Sequence, residues 1–221
     1  AYLHENENLS VDSYIEKLKK YEIISFDIFD TLIFRPFAQP TDLFYLIGEK
    51  LGIVDFKNIR QWAEWSARMK CHLKNKHMEV NLYDIWKEVE NDVGSMAKDG
   101  AKLEIDTELL LCYANPFMLQ VWNELKKRDI PIIVVSDMYL PKSVIEEMLY
   151  KNGYTGYDKL YVSCEYGKNK ASGTLFEVVK KDYPNKKIIH VGDNPHSDKV
   201  MAQKNGFATC QYPNVNKNML L

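Results

Sequence analysis

The sequence predicts an α/β fold, a Rossmann-like parallel sheet flanked by helices and interrupted near its start by an inserted helical segment. Three observations carry this. Short β-branched runs recur with helical patterns between them. The runs are apolar throughout rather than alternating, as strands covered on both faces should be. One long stretch, residues 36–115, loses β-type runs altogether.

Taken in order, a helix over residues 11–20 leads in and packs beside a first strand at Ile23–Phe26. From about residue 36 helical periodicity takes over, as in Leu43, Leu46 and Ile47 and again in Ile59, Trp62 and Ala63. This segment is expected to form a helical cap over residues 36–115, set into a core made of residues 1–35 and 116–221. Its aromatics Phe44, Tyr45, Trp62, Trp65, Tyr83 and Trp86 are expected mostly inside, because aromatics at helical spacing ordinarily pack. The sheet resumes with strands over 131–135, Lys159–Val162 and 187–191. Amphipathic stretches at Pro116–Lys127, 141–151, 171–182 and 197–205 are each long enough for a crossover helix. Asn152-Gly153 and Asn205-Gly206 read as helix stops.

Bulk properties exclude several classes. A chain of 221 residues, 46% hydrophobic and 27% charged, can bury a full core. A net charge of -2 and a pI near 6.3 give no basic excess for nucleic acid or an anionic membrane surface, so an anionic substrate must be caught locally. No apolar run reaches the roughly 18 to 20 residues of a membrane span, and residues 4–8 at the N-terminus are polar. Cys71, Cys112, Cys164 and Cys210 lie far apart with no C-x-x-C pair, which fits reduced core thiols of a cytoplasmic protein better than disulfides or a zinc site. The start at Ala1 and the asparagine-rich residues 214–218 read as a piece of a larger polypeptide.

In open α/β sheets ligands sit outside the carboxyl ends of the strands, so polar residues that terminate apolar runs are the first candidates. Four strand ends stand out: Asp27-Ile28-Phe29-Asp30-Thr31-Leu32, Ser136-Asp137-Met138-Tyr139, the loop from Glu165 to Lys170, and Gly192-Asp193-Asn194-Pro195-His196-Ser197-Asp198. Together they offer carboxylates, a hydroxyl and an ammonium, a set suited to phosphoryl transfer. Asp27 and Asp193 supply the oxygen ligands that Mg²⁺ prefers, with the Phe29 carbonyl and water to complete an octahedron. Taken singly, each residue also suits a helix cap, a turn or a solvated lysine.

As a set, from about Ile23 to Phe207, these residues resemble the haloacid dehalogenase (HAD) superfamily of hydrolases. Phe26-Asp27 followed by Thr31-Leu32 looks like the family's first motif, which implies that Asp27 is the nucleophile and places Thr31 at the substrate. Ser136 is similar to the second motif's hydroxyl, which binds the transferring group. Ser163, Glu165, Gly167 and Lys170, with Phe176 beyond, resemble the third, and that spacing favours Lys170 over Lys168 as the ammonium. Gly192-Asp193 with Asp198 matches the acidic fourth motif, whose first carboxylate holds Mg²⁺ and whose second supports it. The resemblance thus implies a Mg²⁺-dependent phosphohydrolase of a small phosphorylated metabolite, working through an aspartyl-phosphate.

One position departs from the pattern. Phosphatases of the family carry an acid/base aspartate two residues after the nucleophile, where this chain has Phe29. Asp30, Asp137 and His196 are the remaining candidates for that proton transfer, and His190, inside a strand run, reads as a buried hydrogen-bonded residue. Phe29 also opens an alternative, a catalytically weak or silent binding domain; a weaker likeness to HAD-like domains linked to bacterial surface-polysaccharide glycosyltransferases points the same way. A metal-independent dehalogenase is a third reading, opposed by the acidic fourth motif.

Overall fold

The computed structural model describes residues 10–214; residues 1–9 and 215–221, which hold the polar opening and nearly all of the asparagine-rich end, lie outside them. Helix α1 (Val11–Leu18) begins at Ser10, whose hydroxyl accepts from the Ser13 amide, and buries Tyr14, Ile15 and Leu18. Strand β1 (Ile23–Phe26) follows, buried along its whole length. A two-residue strand, β2 (Ile33–Phe34), leads out of the sheet into four helices: α2 (Leu43–Leu51), α3 (Phe56–Asn75), α4 (Leu82–Val93) and α5 (Gly100–Leu111). The chain returns through β3 (Tyr113–Ala114), which pairs antiparallel with β2 and clasps the two ends of the helical excursion together. No run of β-type residues announced this clasp, because two residues a side are too few to leave a pattern.

The core then alternates: α6 (Pro116–Lys127), β4 (Ile132–Ser136), α7 (Lys142–Lys151), β5 (Lys159–Val162), the single turn α8 (Ser163–Tyr166), α9 (Thr174–Asp182), β6 (Ile188–Gly192), a π-type turn at Pro195–Met201 running into α10 (Ala202–Lys204), and β7 (Ala208–Gln211). The five longer strands form one parallel sheet in the order β5-β4-β1-β6-β7. The edge strand β7 is absent from the expected set; with Thr209 and Gln211 it lacks the continuous apolar run of its neighbours, as only an edge can. Helix α9 starts three residues later than its periodicity suggests, since Gly173 adopts a φ of +83° that closes a turn from Asn169.

Large apolar side chains of both the sheet and the helical excursion share one buried cluster, from Leu18, Phe26 and Trp122 to Ile47, Phe56 and Val89. A second cluster, around Ile133, Tyr161, Phe176 and Phe207, fills the other face of the sheet. The expectation that the excursion's aromatics are mostly internal is overturned: Phe44 and Trp86 are buried, but Tyr45, Trp62, Trp65 and Tyr83 are exposed. Trp62 and Trp65 instead stack on each other at 4.9 Å on the outer face of α3. Of the four cysteines, all free, Cys112 and Cys210 are buried, whereas Cys71 and Cys164 are half-buried rather than core. No helix among the described residues is long and apolar enough to cross a membrane.

Candidate active site

Strand β1 lies between β4 and β6, so three strand ends open side by side where the chain order reverses about the sheet centre. Phe26 pairs with Val134 on one side and Val191 on the other, and the Asp27 amide donates to the Val191 carbonyl at 2.9 Å. That register sets Asp27 beside Ser136 and the Gly192-Asp193 loop. Past Asp27 the chain turns sharply, with the Thr31, Leu32 and Ile33 amides all donating to the Ile28 carbonyl and Asp30 at a φ of +62°. Asn115 braces this turn from the end of the clasp, donating to the Thr31 carbonyl at 2.9 Å.

Lys170 is the hub. Its Nζ donates to Asp27 Oδ1 at 2.7 Å and to Asp198 Oδ1 at 2.6 Å, with all three side chains buried. Thr31 Oγ1 donates to the other oxygen of Asp27 at 3.2 Å. Burial pushes Asp27 well above the usual carboxylate range, and the charge of Asp198 adds to this against the pull of Lys170. Burial works against the Lys170 ammonium too, but Asp198 and then Asp27 outweigh it and hold it firmly protonated. Asp198 ends up lowered: burial opposes its charge, and Lys170 together with the His190 hydrogen bond overcomes that.

A second layer fixes this hub. His190 lies buried between Ser25 Oγ, 2.7 Å from Nδ1, and Asp198 Oδ1, 2.8 Å from Nε2. Burial holds the imidazole below its usual range, so it is neutral, with Nε2–H donating to Asp198 and Nδ1 accepting from Ser25. The other oxygen of Asp198 accepts the Asn194 amide at 3.0 Å. Gly192 makes the approach possible: a Cβ there would lie 2.3 Å from Asp198 Cγ, closer than any side chain tolerates. Ser25 drew no notice in the sequence, although a hydroxyl within an otherwise apolar buried strand, registered against His190, was a signal for it.

The remaining candidates divide. Asp193 joins Asp27 and Asp198 in a cluster offering one oxygen each within 4.8 Å of one another, and its Oδ2 accepts from Asn214 at 2.6 Å. Ser136 Oγ is buried and has no hydrogen-bond partner among the described residues. Asp137 is committed elsewhere: its carboxylate accepts the Lys170 amide at 2.7 Å and the Ala171 amide at 3.2 Å, so it shapes the loop that delivers Lys170. His196 is exposed and holds that same loop, its Nε2 lying 2.9 Å from the Ala171 carbonyl. Asp30 is half-buried, and burial with the nearby Asp193 charge raises it above its ordinary value. Lys168 is half-buried and makes no hydrogen bond to the cluster, unlike the buried Lys170.

Phe29 does not stand alone where the acid/base aspartate is expected. The Arg35 guanidinium lies over its ring, 4.1 Å from the centroid, and pairs with the buried Glu108 of α5. Neither arginine nor glutamate stood out in the sequence, where each reads as an ordinary surface charge.

No protein-family model and no curated protein sequence matches the chain. Solved structures do. YfnB of Bacillus subtilis, described as a HAD-hydrolase and bound to magnesium, shares 16% identity over 86% of this chain and 88% of its own, with a TM-score of 0.61. The L-2-haloacid dehalogenase of Xanthobacter autotrophicus, with chloropropionic acid covalently bound, shares 11% over 86% and 77%, with a TM-score of 0.59. A predicted phosphoglycolate phosphatase from Haemophilus somnus shares 16% over 87% and 85%, with a TM-score of 0.58. The chain therefore has the fold of the HAD superfamily, a fold that dehalogenases and phosphatases alike use.

Proposed function

We propose that the chain is a Mg²⁺-dependent phosphohydrolase of a small phosphorylated metabolite, with Asp27 as nucleophile. The observation that carries this is the Lys170 hub: one buried ammonium bridging Asp27 and Asp198, with Asp193 completing an acidic cluster and the unpartnered Ser136 hydroxyl beside them. Dehalogenation needs no such acidic set, which opposes the metal-independent alternative. Asp27, Asp193 and the Phe29 carbonyl would hold the Mg²⁺, with Asp198 in support through its bonds to Lys170 and the loop. When bound, the ion neutralises charge on phosphate oxygens.

The chain's own groups then have definite tasks. The Asp27 carboxylate attacks phosphorus, the bond to the leaving oxygen breaks, and an aspartyl-phosphate forms; water later attacks that phosphorus, releasing phosphate and restoring Asp27. Lys170 orients Asp27 and faces the transferring oxygens, while Ser136 Oγ donates to one of them. With Phe29 in place of an acid, a leaving group that departs as a good anion, such as a carboxylate from an acyl phosphate, is handled better than an alkoxide. The same feature sustains a second reading, a HAD-like domain that binds phosphorylated ligands and turns them over weakly. The four free, well-separated cysteines support a cytoplasmic setting as part of this reading.

The test is phosphate release from acetyl phosphate and from alkyl phosphates, with and without Mg²⁺. Asp27→Asn and chelation should each abolish it; release that survives either one sinks the proposal. Phe29→Asp should raise turnover of alkyl phosphates by about 10-fold or more, since a placed acid is typically worth 10² to 10⁴. Turnover that stays poor on every phosphate in both proteins supports the binding reading instead.

A further inference from the structure

Helix α5 presents two buried carboxylates one turn apart, Glu104 and Glu108, and they are treated unequally. Glu104 is saturated: it accepts Arg60 Nε at 2.8 Å, Arg60 Nη2 at 3.0 Å and Trp86 Nε1 at 3.1 Å. Arg60, itself fully buried, spends its remaining nitrogen on Glu64 at 3.1 Å. Glu108 faces Arg35 Nε at a loose 3.5 Å through Oε2, and both Arg35 Nε and Glu108 Oε1 are buried without a hydrogen bond among the described residues. Buried polar atoms in a folded chain are nearly always paired, so two on facing residues are an exception that a ligand group could answer.

The place of this pair is informative. Arg35 lies over the ring of Phe29, two residues beyond the nucleophile. Its neighbour Arg60 lies 5.0 Å from the ring of Tyr139, three residues beyond Ser136. Arg35 thus borders the Asp27 loop, and Arg60, from α3 of the inserted helices, borders the Ser136 loop. The chemistry of the open pair is selective. An anion at this point would meet Glu108 and a cation would meet Arg35, whereas one hydroxyl accepts from Arg35 Nε and donates to Glu108 Oε1 at once.

Resting on the phosphohydrolase reading of Asp27, we propose that Arg35 and Glu108 form the leaving-group subsite and, among phosphate esters of comparable leaving group, select those with a hydroxyl near the phosphoester, as in polyol or sugar phosphates. They are specificity residues and do not move the reacting proton.

The experiment compares glycerol 1-phosphate with propyl phosphate, which lacks the hydroxyls, using acetyl phosphate as reference, in the wild type, Arg35→Lys and Glu108→Gln. The quantity read is the ratio of kcat/KM for glycerol 1-phosphate over propyl phosphate within each protein, so a variant that is merely less active leaves it unmoved. The wild type should show a ratio of about 10 or more, expected of a polar site left unpaired by the wrong ligand. Both variants should bring it close to one, chiefly through KM for glycerol 1-phosphate. A wild-type ratio near one, or a ratio that both variants preserve, overturns the subsite. A wild type that hydrolyses none of the three, acetyl phosphate included, overturns the phosphohydrolase reading separately. Where neither ester is turned over, whatever happens to acetyl phosphate, the subsite is judged by melting-temperature shifts with the two esters, and equal shifts overturn it.

Discussion

Two buried clusters of charge flank the Asp27 loop. In the core, Lys170, Asp27, Asp198 and His190 form a closed network in which each oxygen of Asp198 is used and the supporting Ser25 hydroxyl is bonded as well. In the inserted helices, the Arg60–Glu104 half is equally closed, but the Arg35–Glu108 half ends in two unmet atoms. The difference teaches where the molecule keeps latitude. The groups proposed to perform one fixed reaction are held rigidly, whereas the end proposed to meet a variable part of a substrate keeps two atoms without hydrogen bonds.

The comparison breaks most visibly at Lys170. Lys170→Met leaves two carboxylates buried without their cation, which costs about 3–5 kcal/mol, on the order of 10 °C in Tm, and phosphate release should vanish with it. Differential scanning calorimetry checks the first and a phosphate assay the second; a melting temperature near that of the wild type would mean that the core network is not closed as described.

A smaller effect of opposite sign is expected at the open pair. Burial raises Glu108 above the ordinary glutamate range, with Glu104 adding to this and Arg35 and Arg60 opposing. Ionising it therefore costs more in the folded chain than in the unfolded one. Its contribution to stability is whole below the unfolded value and declines as pH climbs through the folded one. Glu108→Gln lacks that loss, so the melting temperature of the variant minus that of the wild type should grow as pH rises from 4 towards neutrality. A gap that shrinks over that interval contradicts an unfavourably buried carboxylate.

Least should happen at the outer face of α3. Trp62 is 66% exposed, so Trp62→Ala should stay within about 0.5 kcal/mol of the wild type by urea denaturation. A larger cost would show that the Trp62–Trp65 stack contributes to the fold as the buried aromatics do.

How much of this was readable beforehand follows from where each residue sits. Asp27, Ser136 and Asp193 end apolar runs whose period fixes them at the carboxyl edge of a sheet, and Asp198 follows in the last of those loops, so their convergence was legible. Trp62 and Trp65 were misplaced because helical spacing shows that a stripe exists but not which stripe faces inward. Arg35 and Glu108 left no local sign: each is an ordinary charge in its own segment, and becomes a buried partner only when α5 folds back beside β2.

The sequence by itself determined the alternating strands and helices of the core and the four strand ends whose polar residues make up the candidate site, because these depend on residues close together in the chain. The tertiary structure alone decided that Ser25 and His190 brace Asp198, that Asp137 and His196 shape the Lys170 loop, and that an arginine covers Phe29. Those outcomes rest on contacts between segments distant in sequence, where burial turns an ordinary side chain into one whose every hydrogen bond must be met or kept for a ligand.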